Sequence, residues 1–276
     1  MVLNLKKIGQ IFKHSKDFEQ GRGNIRKGMS NFVVALDGSG DFDDIKDAIN
    51  SLSSTGGSIY IKEGTYIFDL IILPNKPLKL AGTGFATILK SSATGAGILG
   101  FIDLSTNNPN DVILDNLNID GSDISKTGIF ISSSSNVRIE NCWVHNFIQV
   151  GILSDGGISR NTIQNCKIYS NGAGNAGEAG IWWTNRNAII INNWIYNNNG
   201  EGIEVASDFC LISGNDITGN SKKGISLNAV SDKNRIIGNY VVGNTTGQII
   251  DAGSNNHQNG ASGTTNLTLD DLIIIA

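Results

Sequence analysis

The amino-acid sequence predicts an all-β solenoid: a single right-handed parallel β-helix of stacked coils. Three observations predict it. Two columns of apolar residues recur along the chain with one shared period of 22–29 residues. The 276 residues include 34 Gly and 34 Asn, the types that accept left-handed backbone at tight turns. The apolar content, 39%, is rich in the β-branched residues that suit strands.

The first column is Leu114, Ile139, Ile163, Ile190, Ile212 and Ile236, with steps of 25, 24, 27, 22 and 24. Each member is followed two positions on by Asn or Gly, and five on by Ile119, Val144, Ile168, Ile195, Ile217 or Val241. The second column is Gly128-Ile129, Gly151-Ile152, Gly180-Ile181, Gly202-Ile203 and Gly224-Ile225, with steps of 23, 29, 22 and 22. Helical repeats need roughly 33–47 residues and Ala/Leu-rich helices, which excludes them. Short strands stacked in parallel about 4.8 Å apart remain. Parallel crossovers are right-handed in nearly all cases, which sets the hand. The longest step contains an insertion, Asn171 to Ala179 around Glu178, which predicts a loop on one face.

The column Leu117, Cys142, Cys166, Asn193, Asn215, Asn239 occupies one position of successive coils. Stacked Asn side chains pass amide hydrogen bonds up a ladder and satisfy turn backbone. Cys142 and Cys166 read as small core residues in that column. Three Cys without CxxC spacing, and no His nearby, imply neither a disulfide framework nor a zinc site.

The ends differ from the body. Residues 1–29 carry seven Lys/Arg against Asp17 and Glu19, a net charge of 7 − 2 = +5. Residues 30–276 carry 14 against 23, a net of −9. Leu3, Leu5, Ile8, Ile11 and Phe12 interleaved with Lys predict a short amphipathic helix suited to attachment or oligomerisation. Residues 30–255 form the β-helix. Residues 256–276 end in Ile273-Ile274-Ile275 and predict a C-terminal cap or intersubunit strand. Between the first strands, Phe42, Ile45, Ile49 and Leu52 share one helical face behind Asp41 as N-cap, predicting a helix that covers the first coil.

That stretch carries a family likeness. DGSGDFDDIKDAINSL, then GGSIYIKEGTY, then LKLAGTGFATILK resembles the start of the pectin-lyase-like right-handed parallel β-helix superfamily. The resemblance covers about residues 32 to 250 and speaks for fold. It implies a chain related to pectate lyases, polygalacturonases, alginate epimerases and phage or viral tailspikes. The catalytic motifs of those enzymes are missing, so no catalytic residue carries over.

The overall net charge of −4 argues against nucleic-acid binding. No apolar run approaches the ~20 residues of a membrane span. No secretory signal is expected, because Lys6 and Lys7 interrupt the first apolar residues. No cofactor or metal motif is present, and the acidic turns leave room for Ca²⁺ without requiring it.

Strand alternation predicts two outward-facing groups. On the Gly-Ile strand, Trp182 with Glu178, Arg186 and Glu201 forms a candidate glycan-binding groove, because an aromatic face stacks on sugar rings. Glu204 and Asp155 are its candidate acid and base if the protein is an enzyme. On the other strand, Trp143, Trp194, Tyr196 and Tyr240 form an aromatic stripe that needs a cover. A subunit interface is the first expectation there and a glycan platform the second.

The functional expectation is a glycan-binding appendage, a viral or phage tailspike or fibre that recognises host surface polysaccharide. It would be a homotrimer, docked on a particle through residues 1–29 and located on the virion or outside the cell. The alternative is a polysaccharide lyase, hydrolase or epimerase on the same fold. A structural surface protein without a ligand is the third.

Overall fold

The structure, a computed structural model, describes residues 30–92, 100–157, 160–173 and 177–259. The chain winds through three parallel sheets. One coil runs through Thr162–Gln164 in the first sheet, Lys167–Tyr169 in the second and Ala179–Trp183 in the third. It then returns to Ile189–Ile191, which pairs in parallel with Thr162–Gln164. Among the described residues the three sheets hold ten, eight and eight strands.

The periodic columns are the registers of these sheets. Leu114, Ile139, Ile163, Ile190, Ile212 and Ile236 are successive partners in the first sheet. Ile119 through Val241 are partners in the second. Ile129, Ile152, Ile181, Ile203 and Ile225 are partners in the third. These side chains line the inside of the coil and are essentially inaccessible to solvent. Each contributes about 1.5–3 kcal/mol by burial.

The segment from Ile139 to Val144 turns a corner between two sheets. The Asn or Gly two positions after each first-column residue is that corner. Asn116, Asn141, Asn165, Asn192, Gly214 and Gly238 all have φ between 54° and 65°. Asn tolerates this left-handed region because its short amide bonds locally, and Gly because it lacks Cβ.

The expected ladder is present. Asn193 N donates to Asn215 Oδ1 at 2.9 Å, and Asn215 N to Asn239 Oδ1 at 3.0 Å. Each amide Nδ2 also donates to its neighbour's Oδ1 or to a carbonyl of the preceding coil. Cys142 and Cys166 are buried, free thiols in the same column. A second ladder, Asn171, Asn198, Asn220 and Asn244, runs at the next corner. It explains the Gly column. A Cβ on Gly202 would sit 2.6 Å from Gly224 O and 2.9 Å from Asn220 Nδ2.

The first coil is closed by the helix Ile45–Asn50, which buries Ile45, Ala48 and Ile49. Its N-cap is Asp44, not Asp41; Asp44 Oδ1 accepts from Lys46 N at 2.6 Å. Asp41 instead accepts from Val33 N at 2.9 Å, and Phe42 bridges to Val34, so these residues fold back beside the first strand before the helix begins. At the far end, His257–Asn259 adds the last strand of the first sheet. The amphipathic segment 1–29 and the Ile-rich tail lie outside the described residues. Among the described residues no helix is long and apolar enough to cross a membrane.

Candidate functional site

The third sheet carries the first predicted group. Leu153, Trp182 and Glu204 lie on successive rungs, as the alternation predicts. Trp183, the neighbour of Trp182, points inward, fully buried, and its Nε1 donates to Asn185 O at 2.7 Å. Trp182 is only half-exposed. Its Nε1 is buried without a hydrogen-bond partner, and a Cβ on Gly177 would lie 3.4 Å from the ring, so Gly177 packs against it. Phe130 and Ser226, the neighbouring members of the same column on adjacent strands, are buried.

The polar residues of this group are engaged elsewhere. Glu178 is buried, and its carbonyl accepts from Glu201 N at 3.1 Å. Glu201 pairs with Lys222 at 3.7 Å. Glu204 accepts from Asn228 Nδ2 at 3.0 Å. Arg186 reaches the next coil, where its Nε donates to Asp208 at 3.0 Å and its guanidinium covers the Phe209 ring at 5.5 Å. Asp155 and Glu204 are two rungs and two residues apart, since Leu153 pairs with Trp182 and Trp182 with Glu204. Their Cα atoms are therefore roughly 12 Å apart.

The second sheet carries a more continuous surface. Its outer face presents two columns side by side. One is Trp143, Lys167, Trp194, Asp216 and Tyr240; the other is His145, Tyr169, Tyr196, Thr218 and Val242. The rings interact along the axis. His145 stacks on Tyr169 at 4.8 Å, and Tyr169 on Tyr196 at 5.0 Å. Trp194 contacts Tyr196 at 4.6 Å, and Phe85 meets the edge of Trp143 at 6.1 Å. Trp194 is 44% exposed and Tyr240 52%, so the stripe is open to solvent. Among the described residues, nothing else of this extent joins aromatic groups on an outer face.

Lys167 is held between two indoles, its ammonium 5.5 Å from the Trp143 ring and 5.4 Å from the Trp194 ring. His145 anchors the upper end, with Nε2 2.7 Å from Asn118 Oδ1. Burial holds the His145 imidazolium below its ordinary range, against the opposing pull of Asp120. Burial also raises the Tyr169 and Tyr196 hydroxyls, with the neighbouring tyrosine adding to the effect on Tyr169. The predicted stripe residues Trp143, Trp194, Tyr196 and Tyr240 are thus on one face. Sequence reasoning missed Phe85 and the role of Lys167. The signal was available for Lys167, since its coil position falls between two Trp.

A three-sheeted solenoid with long in-register columns on its outer faces defines a class of protein before any family is named. The chain belongs to that class by family as well: it is a member of the right-handed β-helix region family, which matches residues 100–265, more than half of its length. The fold is the pectin-lyase-like one. No curated protein matches the chain.

Several solved structures share the fold at low identity. The Dettilon tailspike protein superposes with a TM-score of 0.61 at 14% identity, over 75% of this chain and 42% of its own. ORF18 of Geobacillus virus E2 gives 0.51 at 19%, over 91% and 62%. Pectate lyase Pel9A gives 0.50 at 14%, over 88% and 82%. The chain therefore spans less than two thirds of either viral protein.

Proposed function

We propose that the protein is a polysaccharide-binding β-helix appendage of the tailspike kind, and that the aromatic stripe of the second sheet holds the glycan. The observation that carries this reading is the open column of Trp143, Lys167, Trp194, Asp216 and Tyr240, in which aromatic and charged side chains alternate rung by rung. Aromatic bodies supply apolar contact for sugar rings, and charged groups between them supply hydrogen bonds to hydroxyls. The half-covered state of Trp182 and the engaged partners of Arg186, Glu201 and Glu204 make the third-sheet group a lesser contributor. The viral neighbours favour a virion-associated role. In that setting the protein is a homotrimer attached to a particle through residues 1–29.

The second reading is a polysaccharide-processing enzyme with Glu204 and Asp155 beside Trp182. It draws on the adjacency of Trp182 and Glu204 in register. The Cα atoms of the two are roughly 12 Å apart and Glu204 is held by Asn228, which favours binding over this chemistry.

Affinity electrophoresis in gels containing a panel of bacterial surface polysaccharides tests the proposal. At least one polysaccharide should retard the full chain, and Trp143→Ala with Trp194→Ala should abolish the retardation. If retardation survives both substitutions while the solution mass falls from trimer to monomer, the stripe is a subunit interface and the glycan site lies elsewhere.

A further inference from the structure

The cage around Lys167 has a counterpart one step along the same column. Trp143, Lys167 and Trp194 occupy three successive rungs, so the two indoles are about 9.6 Å apart along the axis with an ammonium between them. The next interval is bounded by Trp194 and Tyr240, again two rungs and about 9.6 Å apart. Its central residue is Asp216. Asp216 is exposed, and its carboxylate has no hydrogen bond or ion pair among the described residues.

The two intervals have the same spacing in register and are each bounded by aromatic residues, but their central charges are opposite. The first is filled by the chain's own cation, with the ammonium over both ring faces. The second offers an aromatic face, a phenol and an unpaired carboxylate, with no cation of its own. Aromatic faces attract cations through their quadrupole, and a nearby carboxylate adds direct Coulomb attraction.

We infer that the interval between Trp194 and Tyr240 is a binding slot for an organic ammonium, the protonated amine of an amino sugar, with Asp216 as its counter-charge. The inference rests on the stripe being a glycan platform and narrows the class of glycan to one bearing free amines. A neutral N-acetyl group in the same place would offer the carboxylate at most an amide N–H and the rings no cation. The primary ammonium is the form that Lys167 already demonstrates between two such walls.

Isothermal titration of the full chain with glucosamine tetrasaccharide, and with the same oligomer fully N-acetylated, tests this. Below the pKa of the amine, the free-amine oligomer should bind at least tenfold more tightly. Asp216→Asn, which keeps the side-chain shape, should abolish that preference, and Tyr240→Ala should weaken the free-amine form. Equal affinities for the two oligomers, a preference that persists in Asp216→Asn, or binding of neither would overturn the inference. The polysaccharide gels read the platform independently: retardation lost in Trp194→Ala beside equal oligomer affinities would overturn the ammonium slot and leave the platform standing.

Discussion

Replacing Asn215 with Ala removes the middle of the inner ladder and should unfold the solenoid at a markedly lower temperature. Asn215 Oδ1 accepts from Asn193 N at 2.9 Å and from Asn193 Nδ2 at 3.0 Å. Its Nδ2 donates to Ile190 O and to Asn239 Oδ1, each at 2.9 Å. All of these groups are buried. The substitution removes four hydrogen bonds worth about 0.5–1.5 kcal/mol each, and leaves the Asn193 amide hydrogen inside without its partner. Allowing for overlap, the loss is about 3–5 kcal/mol. For a chain of this size that corresponds to a fall of roughly 6–20 °C in Tm. Thermal unfolding followed by tryptophan fluorescence reads it directly. A variant whose Tm stays within about 2 °C of the parent would refute the ladder as a structural element, because water would then be replacing the lost bonds at no cost.

Three further outcomes follow. His145 has its proton affinity depressed by burial in the folded state, so the unfolded chain binds the proton more readily. Its contribution to stability is complete above about pH 6.5 and declines as the pH falls below it. His145→Gln should flatten the Tm profile on that acidic limb, and an unchanged slope would show that other groups carry it. Cys142 has its thiol pushed well up by burial, and Cys166 is buried in the same column, so both should resist a thiol reagent until the chain unfolds. Rapid labelling of the native protein would place them at an accessible surface instead. Glu204→Gln should leave polysaccharide retardation within twofold of the parent if the chain is a binder. Measurable depolymerisation by the parent that the variant lacks would move the assignment to the enzymatic reading.

Reading along the chain alone establishes the solenoid, its period, the registers and the Asn ladder. That was possible because in-register stacking places the same chemistry at the same point of every coil, so each physical requirement reappears 22–29 residues later as the same residue type. The stripe residues were legible for the same reason. The three-sided cross-section was not, because a corner and a strand differ only in the φ of a single Asn or Gly, such as Asn141 at 56°. Nor were the cover over Trp182, the separation of Asp155 from Glu204, or the capture of Lys167 between two indoles. Each depends on loops and side chains of neighbouring coils, which meet only when the coils are stacked. Alternation along one strand says which way a residue points, and the adjacent rungs decide what it finds there.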